Sequence, residues 1–464
     1  TKDVANQLGS DTFVLRGQLA RESLHLAVVE GLAPVEHYAW VSEALDNLDG
    51  SGIIYTLTVE KVQMLTAFLQ AQGHKVEAYF GAVPTQERLA IEDALMRNEL
   101  KAVVATSALG MGYDKPDLAF CIHVGCPGSP IDYYQQVGRA GRALDHAVVA
   151  LVTDQRADKR IWEWFATSNV PKKQEAEAIL KFLDSVDGEA KTSEIMAAAT
   201  LTRPRTELLL KILAVDEAVE RTDNGWRSLH ANWVFDNAKY QDLISERRAD
   251  SARMAEYAGA TKCLETQLRI ALDDDIDPEK KCGRCSVCTG ALPLGLPSTP
   301  NREAKVKAQN FLRGVDHVIE NRKQWPKGMI IEGVDIRNTR IATEHQSNEG
   351  RALAYADDAS WGHEIENVRF DGYLTEELKQ GITELFARWK PEATVVVPVP
   401  SSRRPLLITD LANYLAKLLD IPIIDALTCK LPSNRSERLG FAERPSDVAN
   451  RMSLKNSTDL KDAQ

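Results

Sequence analysis

Two arginines, Arg139 and Arg142, stand three residues apart in YYQQVGRAGR (133–142), with Gly138 and Gly141 beside them and Gln135 one turn earlier. Rigid guanidinium forks match phosphate oxygens. An arginine that reaches a bound nucleotide can stabilise the charge that develops as a γ-phosphate leaves. The segment VVATSALGMGYDKPD (103–117) comes shortly before. In it a strand-like run ends at Thr106, whose hydroxyl can hold a phosphate. Gly110 and Gly112 permit a tight turn and close backbone approach, and Asp114 offers a carboxylate. Either half alone also reads as a glycine-punctuated loop or a solvated basic helix. Together, in this order, they point to phosphate chemistry.

The second constellation is sulfur. Of seven cysteines, four fall together: Cys263, then after 18 intervening residues CGRCSVC with Cys282, Cys285 and Cys288. Four thiolates close a tetrahedral Zn²⁺ shell with no open position, so the expected site is structural. Four free buried thiols, or a redox CxxC, are the alternatives. Cys121, Cys126 and Cys429 read as buried apolar residues. An odd cysteine count fits a reducing compartment better than a disulfide scaffold.

A phosphate-cradling Gly-x4-Gly-Lys-Ser/Thr loop has no counterpart in the sequence, which contains no GK[ST]. Asp216, Glu217 and Ala218 spell the start of an acidic Mg²⁺-binding box, but they follow the arginine motif and read as a solvated turn.

These residues need elements to place them. Residues 12–152 alternate short apolar runs with helical periodicity: TFVL (12–15), GIIYT (52–56), KVEAYF (75–80), KAVVAT (101–106), FCIHV (120–124) and AVVALV (147–152), with helices predicted over 59–73 and 85–98. Near-continuous apolar strands alternating with helices imply a parallel sheet covered on both faces. Ligands are then expected at the carboxyl ends of the strands. A connecting helix is predicted over 156–170, and helices over 173–184, 192–199 and 203–215 precede a hairpin, AVERTDNGWRSL. Its DNG triplet suits a turn because Asn and Gly tolerate positive φ. Three helices and a two-stranded wing form a winged-helix pattern, whose third helix, here begun by Arg203 and Arg205, enters the major groove. A small helical domain that contacts only protein has the same pattern. Trp226 beside the turn could stack on a base or pack under the wing.

The 464 residues amount to about three domains; 44% are hydrophobic and 27% charged, as in globular proteins. A net charge of −11 excludes a uniformly basic nucleic-acid coat, but binding needs only a local basic track. No apolar run is long enough to span a bilayer, so no membrane is expected as a partner. PLGLPSTP (293–300) reads as a linker, and 302–327 is mildly basic, with seven Lys/Arg against three Asp/Glu. The last 130 or so residues read as a further α/β stretch.

On GIIYT, VVATSALGMGYDKPD and YYQQVGRAGR the chain resembles the second motor lobe of superfamily 2 helicases and, more narrowly, the RecQ family. The resemblance implies a RecA-like α/β lobe that closes on a first lobe, with ATP and Mg²⁺ between them and single-stranded DNA across the top. It implies that Gln135, Arg139 and Arg142 face the nucleotide, with Arg142 as arginine finger. It places Asp114 at the ribose or its surroundings and has Gly112, Gly138 and Gly141 shape the nucleotide-binding loops. The resemblance further implies that Thr56 and Thr106 hold DNA phosphates and that movement runs 3′ to 5′. The four cysteines resemble the RecQ zinc module, although here the winged-helix pattern precedes them instead of following. VVVPVPSSRR (395–404) and RSERLGFAERPSDVANRMSL (435–454) resemble the ComF-type branch of phosphoribosyltransferases, without the two acidic residues and small-residue loop that cradle a 5′-phosphate.

The segments expected are therefore 1–22, the end of a first lobe; 23–155, the second RecA-like lobe; 156–230, connecting helix and winged helix; 231–295, the zinc module; 296–330, a linker; and 331–464, a partial phosphoribosyltransferase-like domain. The chain is expected to be part of a longer ATP-dependent DNA helicase, inactive without its first lobe. It would act on single strands and duplex junctions in the bacterial cytoplasm, at the nucleoid. A non-enzymatic DNA-binding module and a phosphoribosyl enzyme are the competing readings.

Overall fold

The structure is a computed structural model that describes residues 19–109, 112–230, 232–293, 295–325, 340–355, 358–430 and 443–455, together with Gly9 and Phe13. Gly110, most of the strand expected at 12–15 and most of segment 1–22 lie outside these residues. The chain divides into two compact units, 1–168 with 242–310, and 169–241 with 311–464.

The first unit is built on a six-stranded parallel sheet, β1 (Leu24–Val29), β2 (Ser51–Thr56), β3 (Val76–Tyr79), β4 (Ala102–Ala105), β5 (Leu118–Val124) and β6 (Ala147–Val152), in the order β1-β6-β5-β2-β4-β3. Every residue of β2, β4 and β6 is buried, as expected of strands covered on both faces. Helices α1 (Pro34–Asn47), α2 (Val59–Ala71), α3 (Thr85–Met96) and α4 (Pro130–Val137) join them, and α5 (Gln155–Ser168) follows β6. Strand β1 was not anticipated: the sequence reading placed the strand of this region at 12–15, whereas LHLAVV pairs with β6 from Leu24↔Ala147 to Val29↔Val152.

Two segment boundaries are corrected. The cysteine region is not a separate module. Residues Met254, Tyr257, Cys263, Leu264 and Cys285 share one apolar core with Tyr133, Trp162 and the strands. The stretch 296–330 is not a free linker at its start. Trp40 Nε1 donates to the Pro297 carbonyl at 2.6 Å, and Lys305 pairs with Glu36 at 2.5 Å. Polar head groups on α1 thus hold the incoming chain.

In the second unit, α6 (Lys173–Ser185), α7 (Thr192–Ala199) and α8 (Arg203–Val215) enclose a core of Ile179, Leu183, Ile195, Leu209 and Leu213, and β7 (Val219–Arg221) pairs antiparallel with β8 (Trp226–Ser228). The hairpin forms where DNG predicted it, for a different reason. Asn224 and Gly225 do not take positive φ; instead a Cβ at Gly225 would lie 2.3 Å from the Ala190 carbonyl oxygen. Trp226 packs against this core. After α9 (Asn237–Ala258), α10 (Leu264–Ala271), α11 (Ser286–Thr289) and α12 (Arg302–Arg313), the described residues of the tail carry less strand than the α/β expectation. Its described residues form helices α13 (Gly362–Asn367), α14 (Glu376–Trp389), α15 (Pro405–Leu419) and α16 (Glu443–Arg451), two short antiparallel pairs, and a single parallel bridge, Val396↔Ile423. Two prolines interrupt VVVPVPSS, so no continuous ladder builds there. No helix among the described residues is long and apolar enough to cross a membrane.

Candidate nucleotide and nucleic-acid site

Helix α4 begins after the carboxyl end of β5, with Ser129 capping its start by accepting from the Asp132 amide. It runs back along the sheet. The Gly141 and Ala143 amides donate to the carbonyls of Leu118 and Pro116, each at 2.9 Å. The arginine motif therefore sits at the amino end of β5, whereas strand polarity alone had suggested the carboxyl ends. Gly141 is required by geometry: its φ is +66°, and a Cβ would lie 2.7 Å from Ser23 Oγ, which donates to the Gly141 carbonyl. Gly138 ends α4 where a Cβ would meet the Tyr134 carbonyl oxygen at 2.9 Å, and Gly112 has φ +95° with open space around it.

The two arginines have separate fates. Arg139 is 8% exposed and donates from Nη1 to the Tyr113 carbonyl at 2.6 Å. It clamps the 113–117 loop to α4 and does not face solvent. Arg142 keeps 37% of its side chain exposed and pairs with Asp114, itself 62% exposed, at 2.6 Å. The two motif segments thus meet at the surface through this ion pair and beneath it through Arg139. Gln135 is exposed on α4. Lys115, which the sequence reading passed over, is fully buried beneath this loop and binds Asp117 at 2.6 Å. The DKPD string was its only signal.

A buried polar layer supports α4. His123 of β5 stacks on Tyr55 and lies edge-on to Tyr133, and its Nε2 is 2.7 Å from Gln136 Oε1. Burial pulls His123 down to about 4, so it donates to Gln136 as a neutral ring. Tyr55 hydroxyl donates to the Leu109 carbonyl, and burial raises its pKa. Nothing local in sequence links His123 with Gln136, which explains why the pair was missed.

The threonines lie at the opposite, carboxyl edge. Thr56 ends β2, is buried, and donates its hydroxyl to the Thr58 carbonyl at 3.0 Å. Thr106, after β4, is half-buried and accepts from the Ala108 amide at 3.3 Å. At the same edge Asp158 accepts from the Thr153 hydroxyl at 2.7 Å, and burial lifts its carboxyl to about 6.

In the second unit Arg205 turns inward, held by Glu175 at 2.6 Å and the Val170 carbonyl at 2.8 Å. Arg203 stays in solvent, paired with Glu207 one turn on. Asp216 accepts from Trp233 Nε1 and pairs with Lys239, which gives the acidic decoy a local structural role.

The four thiols converge. Their Sγ atoms all lie within 4.8 Å of one another, with Cys282 and Cys288 at 3.9 Å. A tetrahedron with Zn–S bonds of about 2.3 Å has edges of about 3.8 Å. The Cys282 and Cys285 amides point at Cys263 Sγ and Cys282 Sγ, each at 3.3 Å, as donors do at thiolate ligands. The residues present therefore fit a four-sulfur ion. Arg284 ties the knuckle to the lobe through the Leu24 and Arg21 carbonyls and Glu265.

Residues 36–144 match the family described as Helicase conserved C-terminal domain. The chain is 27% identical over 252 residues to ATP-dependent DNA helicase RecQ of Synechocystis sp., a stretch covering 53% of this chain and 50% of that protein. It is 34% identical over 126 residues to the protein of the same name in Pasteurella multocida, covering 27% and 20%. Identity to ATP-dependent DNA helicase Q1 of Rattus norvegicus is 41% over 92 residues, covering 20% and 15%. The chain spans half the length of the first relative and less of the others. A solved structure of S. cerevisiae Dbp5 bound to RNA and ADP BeF3 covers 35% of this chain and 46% of that one, at 21% identity and a TM-score of 0.31.

Proposed function

We propose that this chain is the second motor lobe, with a zinc-stabilised flank and a winged helix, of a RecQ-type ATP-dependent DNA helicase that moves 3′ to 5′. The observation that carries the reading is the Arg142–Asp114 pair, which joins the two phosphate-type motifs at 2.6 Å on the lobe's surface. The names of the similar proteins support it. Arg142 supplies charge to a triphosphate gripped by a first lobe, and Asp114 holds the guanidinium until that lobe arrives. Arg139 positions the loop from beneath. Mg²⁺ belongs to the first lobe's carboxylates, and the zinc site contributes folding energy and not chemistry. DNA, both single strand and junction, is the partner, Arg203 lies on the winged helix's groove-facing helix, and the setting is the bacterial cytoplasm.

The test is ATP turnover in the presence of single-stranded DNA. A polypeptide that joins a GK[ST]-bearing first lobe ahead of Thr1 turns over ATP, and Arg142→Ala lowers its kcat by about 10³-fold or more while KM changes less. Turnover by this chain alone that survives Arg142→Ala overturns the assignment.

A further inference from the structure

Helix α5 carries two tryptophans with opposite surroundings. Trp162 is 6% exposed and donates from Nε1 to the Cys126 carbonyl at 2.7 Å. Trp164 is 61% exposed, and its ring lies 5.0 Å from that of Phe165, itself 41% exposed, at 67°. Single exposed apolar residues are ordinary. An edge-to-face pair of exposed rings fixed on a rigid helix beside cations is a more specific arrangement. Arg156, Arg160 and Trp164 are spaced four apart, so they share one ridge of the helix, and Lys159 is exposed on the neighbouring row. Helix α9 adds Arg247, which donates to the Ala166 carbonyl at 3.1 Å, and Arg248, paired with Glu163 at 2.6 Å. Glu163 is the only carboxylate on the exposed side of α5.

We propose that this surface is a stacking platform for single-stranded nucleic acid, with a base on the Trp164 ring and the backbone along the Arg156–Arg160 ridge. The inference rests on the DNA reading above only for the identity of the strand. Charge selects the occupant: on a chain of net charge −11, α5 exposes Arg156, Lys159 and Arg160 against the one carboxylate Glu163, itself paired with Arg248, which suits a polyanion with flat bases. An apolar protein surface would instead leave those cations desolvated beside a two-ring patch. Stacking tolerates any base, so the platform holds a strand without reading its sequence.

Titration of the full chain with dT12 at low salt, followed by tryptophan emission, tests this. The unmodified chain is expected to bind with quenching. Trp164→Ala weakens binding about 5-fold or more, whereas Trp164→Phe keeps most of the affinity but loses most of the quench. Arg156→Ala makes the salt dependence shallower by about one unit of slope. Trp164 is mostly in solvent, and an unchanged melting temperature checks that the variants fold. If the unmodified chain fails to bind dT12, both this inference and the DNA reading fall. If Trp164→Ala binds dT12 like the unmodified chain, the platform alone falls. Loss of self-association in sedimentation, with dT12 affinity unchanged, likewise overturns it in favour of a protein partner.

Discussion

At the scale of single residues, two buried groups lean in opposite pH directions. His123 is drawn down to about 4 from 6.5 by burial, so the folded chain gains stability as pH rises through that window. Asp158 is lifted to about 6 from 3.8, again by burial. Between those values the folded state keeps a proton that the unfolded chain has released, so its contribution is full below about pH 4 and is lost as pH rises through 6. Asp158→Asn removes this dependence while leaving His123 alone. The variant is expected to match the unmodified chain near pH 4 and to exceed it by about 1–3 kcal/mol above pH 7. Urea midpoints at pH 4, 5, 6 and 7.5 check it; a difference that stays flat with pH refutes the burial argument. The same contrast between buried and exposed separates Arg139 from Arg142. Their spacing was plain in the sequence. That one clamps a backbone carbonyl while the other pairs with Asp114 was not, because the deciding partners lie more than twenty residues away.

At the scale of elements, periodicity revealed strands β2 to β6 and the three helices of the second unit, since fully buried strands and amphipathic helices write their environment into local composition. It missed β1, where LHLAVV begins with a polar interruption at His25 and pairs only with a strand more than 120 residues on. It also could not show that α4 doubles back, which moves the arginine motif to the amino edge while Thr56 and Thr106 stay at the other. The cysteine spacing announced its cluster, but not that α9 to α11 complete the lobe's own core. Helix α8 shows why adjacent residues need not share a role. Arg205 is half-buried against Glu175, whereas Arg203 is solvated. Arg205→Ala is expected to cost about 1–3 kcal/mol, because it leaves the partly buried Glu175 carboxylate only the longer contact to Lys172 at 3.9 Å, while Arg203→Ala stays within about 0.5 kcal/mol. Urea unfolding of the two variants distinguishes them, and equal losses would refute the assignment of Arg205 as a structural residue.

At the scale of the whole molecule, each unit has apolar cores of its own: one spans the parallel sheet, α9 and the cysteine knuckle, and others lie among α6 to α8 and around Trp361. The four thiols belong to the first unit alone. An ion held there adds its binding free energy to the folding of that unit, because the unfolded chain has no preformed site. Arg284 carries the effect into the sheet through the Leu24 carbonyl at the start of β1. Calorimetry of the zinc-loaded chain is therefore expected to resolve a transition that a tight chelator at pH 7.5 lowers by more than about 5 °C, with the remaining heat absorption unmoved. Cys285→Ser should reproduce that loss without chelator, since Cys285 is one of the four convergent thiols and is fully buried. Elemental analysis should find about one zinc per chain. A chelator that shifts no transition would show that the cysteines do not stabilise the sheet, and the lobe's rigidity would then have to come from its strands and α9 alone.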